Sequence, residues 1–379
     1  MRFIRGEKGS EVVLTLRKKD GSIKEVKMIR EEVAIEDTFA RSIIVNSPNG
    51  KKYGFINLPG FNADFEDAKG RNASDDIKAE LIKLKAQNVE GIILDLRNNG
   101  GGSLTEVVDI MGLFMKNGPV VQVKDGNGKI QVLKNKQNDP IWTGPLVIMQ
   151  NELSASASEI LAGAMQDYGR AVIVGSPQSF GKGTVQTFVE LNRFLNTSDD
   201  FGALKLTIQK FYRVNGKSTQ LKGVESDIPM KDVFSYEEIG ERFDNYALPW
   251  DQVNSSSFTV NNSINVAELA KNSQSRMAQN KFYQLLLESA QWREKLDKEE
   301  KISLNLKEFE AVMKTRKAQI DKFKPLIKYN NGLNFALHAD ELARGKTDEV
   351  FAKKSENWMK NLKRDIYLQE TVNIISELK

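Results

Sequence analysis

Apolar and polar positions alternate in strand fashion in two short stretches near the start of the chain, Val12-Val-Leu-Thr-Leu16 and Ile23 to Ile29, on either side of Asp20-Gly21. Period-two alternation around an Asp-Gly pair predicts a β-hairpin. Two strands are too few to be stable alone, so this hairpin reads as part of a larger module. From about Ala40 the pattern becomes strand and helix in turn, which predicts an α/β core. Arg41 to Val45 and Lys52 to Leu58 bracket the turn cluster Ser47-Pro-Asn-Gly50, and Ala73 to Ala86 carries Ile77, Leu81 and Leu84 at helical spacing. Gly91-Ile-Ile-Leu-Asp-Leu96 and Pro145-Leu-Val-Ile-Met149 are nearly continuous apolar runs, the mark of strands buried on both faces. Helix patterns follow each of them, at Leu104 to Met115 and at Ser156 to Tyr168, and Ala171-Val-Ile-Val174 predicts a further strand. A hairpin is predicted around Asp125-Gly-Asn-Gly128, from Pro119 to Val123 and Ile130 to Leu133, and a strand from Leu204 to Tyr212. Beyond Trp250 the composition shifts. A polar linker, Asn254-Ser-Ser-Ser257, leads into Lys/Glu-rich helical patterns from Val266 to Leu296 and Leu306 to Leu326, which predict a mainly helical region with solvated charged faces.

Composition narrows the chemistry. In 379 residues there are no cysteines and one histidine, His338, which excludes disulfides, thiol catalysis and cysteine-ligated metal sites and argues against a usual zinc site. Charged residues make up 28% of the chain, but 55 basic against 51 acidic residues are mixed in sign along its length, and no nucleic-acid footprint is suggested. No run approaches the roughly eighteen apolar residues of a membrane span. The first residues, Met1-Arg-Phe-Ile-Arg-Gly6, lack the apolar core of a signal peptide.

With histidine nearly absent, a serine and a lysine are the obvious nucleophile and base. Ser154-Ala-Ser-Ala-Ser-Glu159 lies at a strand-to-helix junction, where an exposed hydroxyl coincides with free backbone N–H groups. Ser156 is central, between a loop serine and a serine entering the helix; serines in such a place also serve as caps. Phe180-Gly-Lys-Gly183 holds Lys182 between two glycines, which permit close backbone approach that a surface lysine does not need. A lysine acting as base near neutral pH must be kept uncharged, which from a solution value of roughly 10.4 demands about 4 kcal/mol of desolvation or positive potential. Arg97-Asn-Asn-Gly-Gly-Gly102 follows a buried strand and either donates N–H groups to an anion or simply turns the chain. Two competing motifs fail. Gly175 to Lys182 has five residues between its glycines where a phosphate-binding loop has four, and Gly183 stands where that loop has Ser or Thr. Ser179-Phe-Gly-Lys182 matches the Ser-x-x-Lys of penicillin-recognising enzymes, but glycine-rich sequence is a poor helix and no Ser-Asp-Asn or Lys-Thr-Gly follows.

Four blocks, Asp95-Leu-Arg-Asn-Asn-Gly-Gly-Gly102, Ser154-Ala-Ser-Ala-Ser-Glu-Ile160, Met165-Gln-Asp-Tyr-Gly-Arg170 and Phe180-Gly-Lys-Gly-Thr-Val-Gln186, resemble the signatures of the C-terminal processing peptidases, which are Ser/Lys-dependent serine proteases. Lys222-Gly-Val-Glu-Ser-Asp227 is similar to a further block of their core. Ala247-Leu-Pro-Trp250 and Tyr367-Leu-Gln-Glu-Thr-Val-Asn-Ile374 resemble the tail-specific, Prc-like branch. The resemblance implies a crotonase-like α/β protease core at 36–250, preceded at 1–35 by the last part of a PDZ domain and followed at 251–379 by a helical C-terminal domain. It implies Ser156 as nucleophile, Lys182 as general base, Gln186 orienting the lysine, the N–H groups of Ala157 and the Gly101 region as oxyanion hole, and Asp167 in support. The separation of Ser156 from Lys182 is 26, one more than the family pattern, with the extra residue in Ser176-Pro-Gln-Ser179. No metal or cofactor is implied. The implied partners are protein substrates with apolar, unstructured C-termini and a lipoprotein adaptor, and the implied compartment is the periplasm. In relatives the rest of the PDZ module, a helical domain and an export signal precede the segment matched here, so the chain reads as part of a longer protein. A catalytically silent binding or scaffold fragment is the alternative reading.

Overall fold

The computed structural model describes residues 4–31, 36–63, 70–194, 199–261, 263–299 and 301–378. The chain divides into two units, Met1–Thr38 and Phe39–Lys379. In the first, β1 (Glu11–Arg17) and β2 (Ile23–Ile29) form the expected antiparallel hairpin, with Thr15 opposite Glu25 and Gly21 at φ 84° in the turn. Residues 1–3 and 32–35 of the expected PDZ segment lie outside the described residues.

The second unit is built on a seven-stranded mixed sheet. Its elements in chain order are β3 (Arg41–Asn46), β4 (Lys52–Asn57), α1 (Ala73–Ala86), β5 (Ile92–Asp95), α2 (Leu104–Phe114), β6 (Gly118–Asp125), β7 (Ile130–Asn135), β8 (Leu146–Gln150), α3 (Ala157–Asp167), β9 (Val172–Gly175), β10 (Thr184–Glu190), β11 (Ala203–Tyr212) and β12 (Ile228–Pro229). After these come α4 (Val266–Gln279), α5 (Lys281–Asp297), α6 (Leu306–Phe323), β13 (Asn334–Ala336), α7 (Ala339–Gly345), α8 (Glu349–Leu362) and α9 (Ile366–Glu377). The strand order is β12-β9-β8-β5-β4-β3-β13, parallel from β12 to β4 and antiparallel at β3 and β13. A second, antiparallel sheet has the order β10-β11-β6-β7.

The continuous apolar runs of the central strands are explained by what covers each face. Ile92, Leu94, Ile148 and Ile173 point to one core, where Ile77, Leu81, Val107, Ile110, Leu161 and Met165 of α1, α2 and α3 meet them. Ile93, Val147, Met149, Val172 and Val174 point to the other, where they meet Leu269, Met277, Tyr283, Leu362, Leu368, Val372 and Ile374 from the C-terminal helices. Side chains alternate across a strand, so two apolar layers require both parities to be apolar. The α/β class and the helical C-terminal region are as expected. Packing places the C-terminal helices on the sheet within the same unit, and β13 extends that sheet along β3. The pattern expected to run as one helix from Val266 to Leu296 breaks at Asn280, whose side chain accepts from the N–H groups of Phe282 and Tyr283 and so starts α5.

Candidate active site

Ser156 stands between β8 and α3 with φ 59° and ψ −111°, a conformation that costs a non-glycine residue on the order of 1–3 kcal/mol. Surrounding bonds hold it there. Its N–H donates to the Glu159 carboxylate at 2.7 Å, and the N–H of Ala155 donates to the Asn99 carbonyl at 3.0 Å. The three serines separate clearly by environment. Ser154 is 1% exposed and donates to the Leu96 carbonyl at 2.7 Å; Ser158 is fully buried and donates to the Asn99 carbonyl at 2.9 Å. Both tie the serine loop to the glycine loop, while Ser156 stays half-buried.

The glycine loop joins β5 to α2 and lies directly against the serine. Asn98 and Asn151 exchange hydrogen bonds, Asn98 N–H to Asn151 Oδ1 at 2.9 Å and Asn151 Nδ2 to Asn98 Oδ1 at 2.8 Å. Gly101 has φ 105°, and a β-carbon there would come within 2.9 Å of Ser156 Cβ and 3.0 Å of the Ala157 nitrogen. Only glycine fits so near Ser156. Ala157 is the first residue of α3, so its N–H has no helical acceptor, and it takes none elsewhere among the described residues. The Gly101 N–H, by contrast, donates to Asn99 Oδ1 at 2.9 Å, whereas those of Gly100 and Gly102 take no acceptor among the described residues. Gly101 therefore shapes the space beside Ser156, and the donors left open in this loop are its neighbours.

Lys182 lies in the loop from β9 to β10. Its flanking glycines allow the close approach expected of them: a β-carbon on Gly183 would be 2.7 Å from the Gln220 nitrogen, and one on Gly181 would be 3.0 Å from the Leu221 carbonyl carbon. Burial is the main force pushing the lysine below its ordinary value; Lys205 on β11 adds to it, and Glu241 and Glu159 oppose it. The segment with the extra residue is well tied. Ser176 Oγ donates to Glu152, Gln178 bridges Glu225, and the N–H of Ser179 donates to the Val224 carbonyl at 3.1 Å.

Serine and lysine loops are joined by the Phe180 N–H, which donates to the Ser154 carbonyl at 3.0 Å, and through Glu159. Among the described residues no hydrogen bond links the Ser156 and Lys182 side chains, and none links Gln186 to Lys182. Gln186 is exposed on β10 beside a bulge. Asp167 is not brought to this cluster. It sits at the far end of α3, about 16 Å along the helix from Ser156, where Arg213 Nε donates to it at 3.1 Å and Asn215 Nδ2 at 2.7 Å. Its carboxyl is nonetheless pushed up, because burial outweighs the Arg213 pair. The lone histidine is also elsewhere, buried with Nε2 2.8 Å from Ser42 Oγ. A separate cavity of about 410 Å³, lined by Asp95, Arg97, Gln150, Asp232 and Tyr367 among others, contains neither Ser156 nor Lys182.

Residues 52–230 match the model of peptidase family S41, and residues 234–379 match that of the C-terminal domain of tail specific protease. Residues 52–230 are thus a peptidase family S41 segment. It is 42% identical over 271 residues to the tail-specific protease of Haemophilus influenzae, covering 71% of this chain and 38% of that protein. It is 34% identical over 209 residues to a carboxyl-terminal-processing protease of a Picosynechococcus species, covering 55% of this chain and 46% of that protein. The chain thus spans less than half the length of these relatives. Among solved structures, the photosystem II D1 C-terminal processing protease is similar at 27% identity and a TM-score of 0.44, covering 60% of this chain and 57% of that one. Glu159 and Asn99, which tie the serine, glycine and lysine loops together, are not marked as site residues by the sequence alone. The signal for Glu159 was present as the Ser-x-x-Glu spacing of a capping box.

Proposed function

We propose that the whole protein is a serine endopeptidase of the C-terminal processing type that works through Ser156 and Lys182. In this reaction the neutral lysine amine takes the proton of the Ser156 hydroxyl as its oxygen attacks the substrate carbonyl. The oxyanion that forms is met by the Ala157 N–H and an open N–H of the glycine loop, and the lysine then returns its proton to the leaving amine. Water attacks the acyl-enzyme by the same route. Gln186 follows Lys182 on the strand that leaves its loop and would orient the amine once substrate covers them. Its substrates would be proteins with apolar, unstructured C-termini, met in the periplasm and delivered with or without a lipoprotein adaptor.

One observation carries this reading: a serine held in a strained conformation at a helix start, beside an unpaired N–H, with a glycine-flanked, partly desolvated lysine tied to the same junction. The test uses the full-length protein and an unfolded substrate ending in apolar residues. Ser156→Ala and Lys182→Ala should each abolish cleavage while the fold is kept. Because Lys182 is held below its ordinary value, the rate should rise with pH as the lysine loses its proton. Undiminished cleavage by Lys182→Ala, or binding of such tails without turnover by the unaltered protein, would overturn the proposal.

A further inference from the structure

Four donors converge on one carboxylate. Glu159, on the first turn of α3, is fully buried. One of its oxygens accepts from Ser179 Oγ at 2.6 Å and from the Gly181 N–H at 2.7 Å; the other accepts from the Ser156 N–H at 2.7 Å and the Lys182 N–H at 2.9 Å. Thus a single side chain holds the backbone of the nucleophile and the backbone of the base, whose own side chains share no hydrogen bond. All four partners are donors. The ionised carboxylate accepts from all of them through charge-assisted bonds; a protonated acid can turn its O–H only to the Ser179 hydroxyl, the one partner that can also accept, and holds the Gly181, Ser156 and Lys182 N–H groups by weaker neutral bonds.

The geometry points to Glu159 as a positioning residue that sets the spacing of Ser156 and Lys182 only while it is ionised, so that the site carries its own acid-side gate. This rests on the Ser156 and Lys182 reading and adds a second proton to it. Burial pushes the Glu159 carboxyl up to about 7, against the lowering effect of its hydrogen bonds, so the gate operates near neutral pH. Among the described residues, the charged groups that act on the Lys182 amine are Lys205 from β11, which lowers it, and Glu241 from the short 3-10 turn Glu241–Phe243 and Glu159 itself, which raise it. Acidification therefore removes activity twice, by protonating the base and by releasing its loop.

Steady-state kinetics of the full-length protein against pH tests the gate. The acid limb of log kcat in the unaltered protein should approach a slope of two, because two groups must both lose a proton. Glu159→Gln puts an amide where four donors converge; it should lower kcat by about 100-fold or more with KM within about threefold, and its acid limb should fall to a slope of one. Glu159→Asp keeps the charge but is shorter by a methylene, and it should recover part of kcat and the slope of two. A slope of one in the unaltered protein, or a Glu159→Gln variant with near-normal kcat and an unchanged profile, would overturn the inference. Hydrogen exchange gives a reading independent of the dyad: amides at Ser156, Gly181 and Lys182 should lose protection together in Glu159→Gln. If Lys182→Ala remains active while these amides lose protection, the dyad fails and the clamp stands; retained protection overturns the clamp. Should Glu159→Gln not fold, the slope of the unaltered protein and the kcat of Glu159→Asp decide.

Discussion

The chemistry of this site is set by which groups are denied partners. Ser154 and Ser158 are satisfied by carbonyls of the glycine loop, and Ser156 is the serine left partly exposed at a strained position. Gly101 fills the same space from the other side. Its replacement by alanine would put a β-carbon 2.8 Å from the Ala155 carbonyl oxygen, at a φ that alanine avoids, so the serine loop must move. Gly101→Ala should lower kcat by at least about 100-fold, the scale of losing an oxyanion donor, while circular dichroism stays native. Glu159 links activity and stability with opposite signs. Its folded value of about 7 lies above its unfolded one, so ionising it costs folding free energy, and the stability it contributes is full below the unfolded value and lost as pH rises through about 7. Thermal melts should therefore show Tm gaining from this group between pH 8 and pH 6 while kcat falls, and the gain should shrink in Glu159→Gln.

At the scale of elements, α3 does two jobs at its two ends. Its N-terminus presents the Ala157 N–H beside Ser156, and its C-terminus is anchored by Asp167 with Arg213 and Asn215. Asp167→Ala would leave a largely buried guanidinium unpaired, at a cost of about 3–5 kcal/mol. The expected result is a clear drop in Tm with KM little changed in the folded protein; a normal Tm with lost kcat would instead argue for a direct part in the chemistry. The helix itself was readable from sequence, as were most strands of the central sheet, because their apolar periods are long and undisturbed. The strand β10 was not. Its residues, Thr184 to Glu190, do not read as a core strand because they form the exposed edge of a small sheet, where tertiary pairing with β11 decides the conformation. The split between α4 and α5 was equally hidden, since Asn280 interrupts a helical period without breaking it.

Across the whole molecule, the C-terminal helices complete the core. The apolar side chains of α9, Ile366, Leu368, Val372, Ile374 and Ile375, are at most 3% exposed and face strands that also support the serine loop. Five such side chains are worth about 10 kcal/mol of burial, comparable with the roughly 5–15 kcal/mol that holds a domain folded. A chain ended after Arg364 should be insoluble or lose its cooperative thermal transition, even though every residue around Ser156 and Lys182 is retained.

What could be read from residue order alone was the local chemistry: a serine at a strand-to-helix junction, a lysine between glycines, glycines for a tight loop, and apolar periods for an α/β sheet. These depend on short-range sterics and periodicity, which neighbouring residues carry. What required the folded chain was how distant segments meet. Glu159 became a clamp only because the loop carrying Lys182 folds back onto the start of α3, and Asp167 left the site only because a helix has a fixed rise. Likewise the second face of the sheet found its cover in a region whose charged sequence suggested solvent, since burial there is shared among helices that each contribute only a narrow apolar stripe.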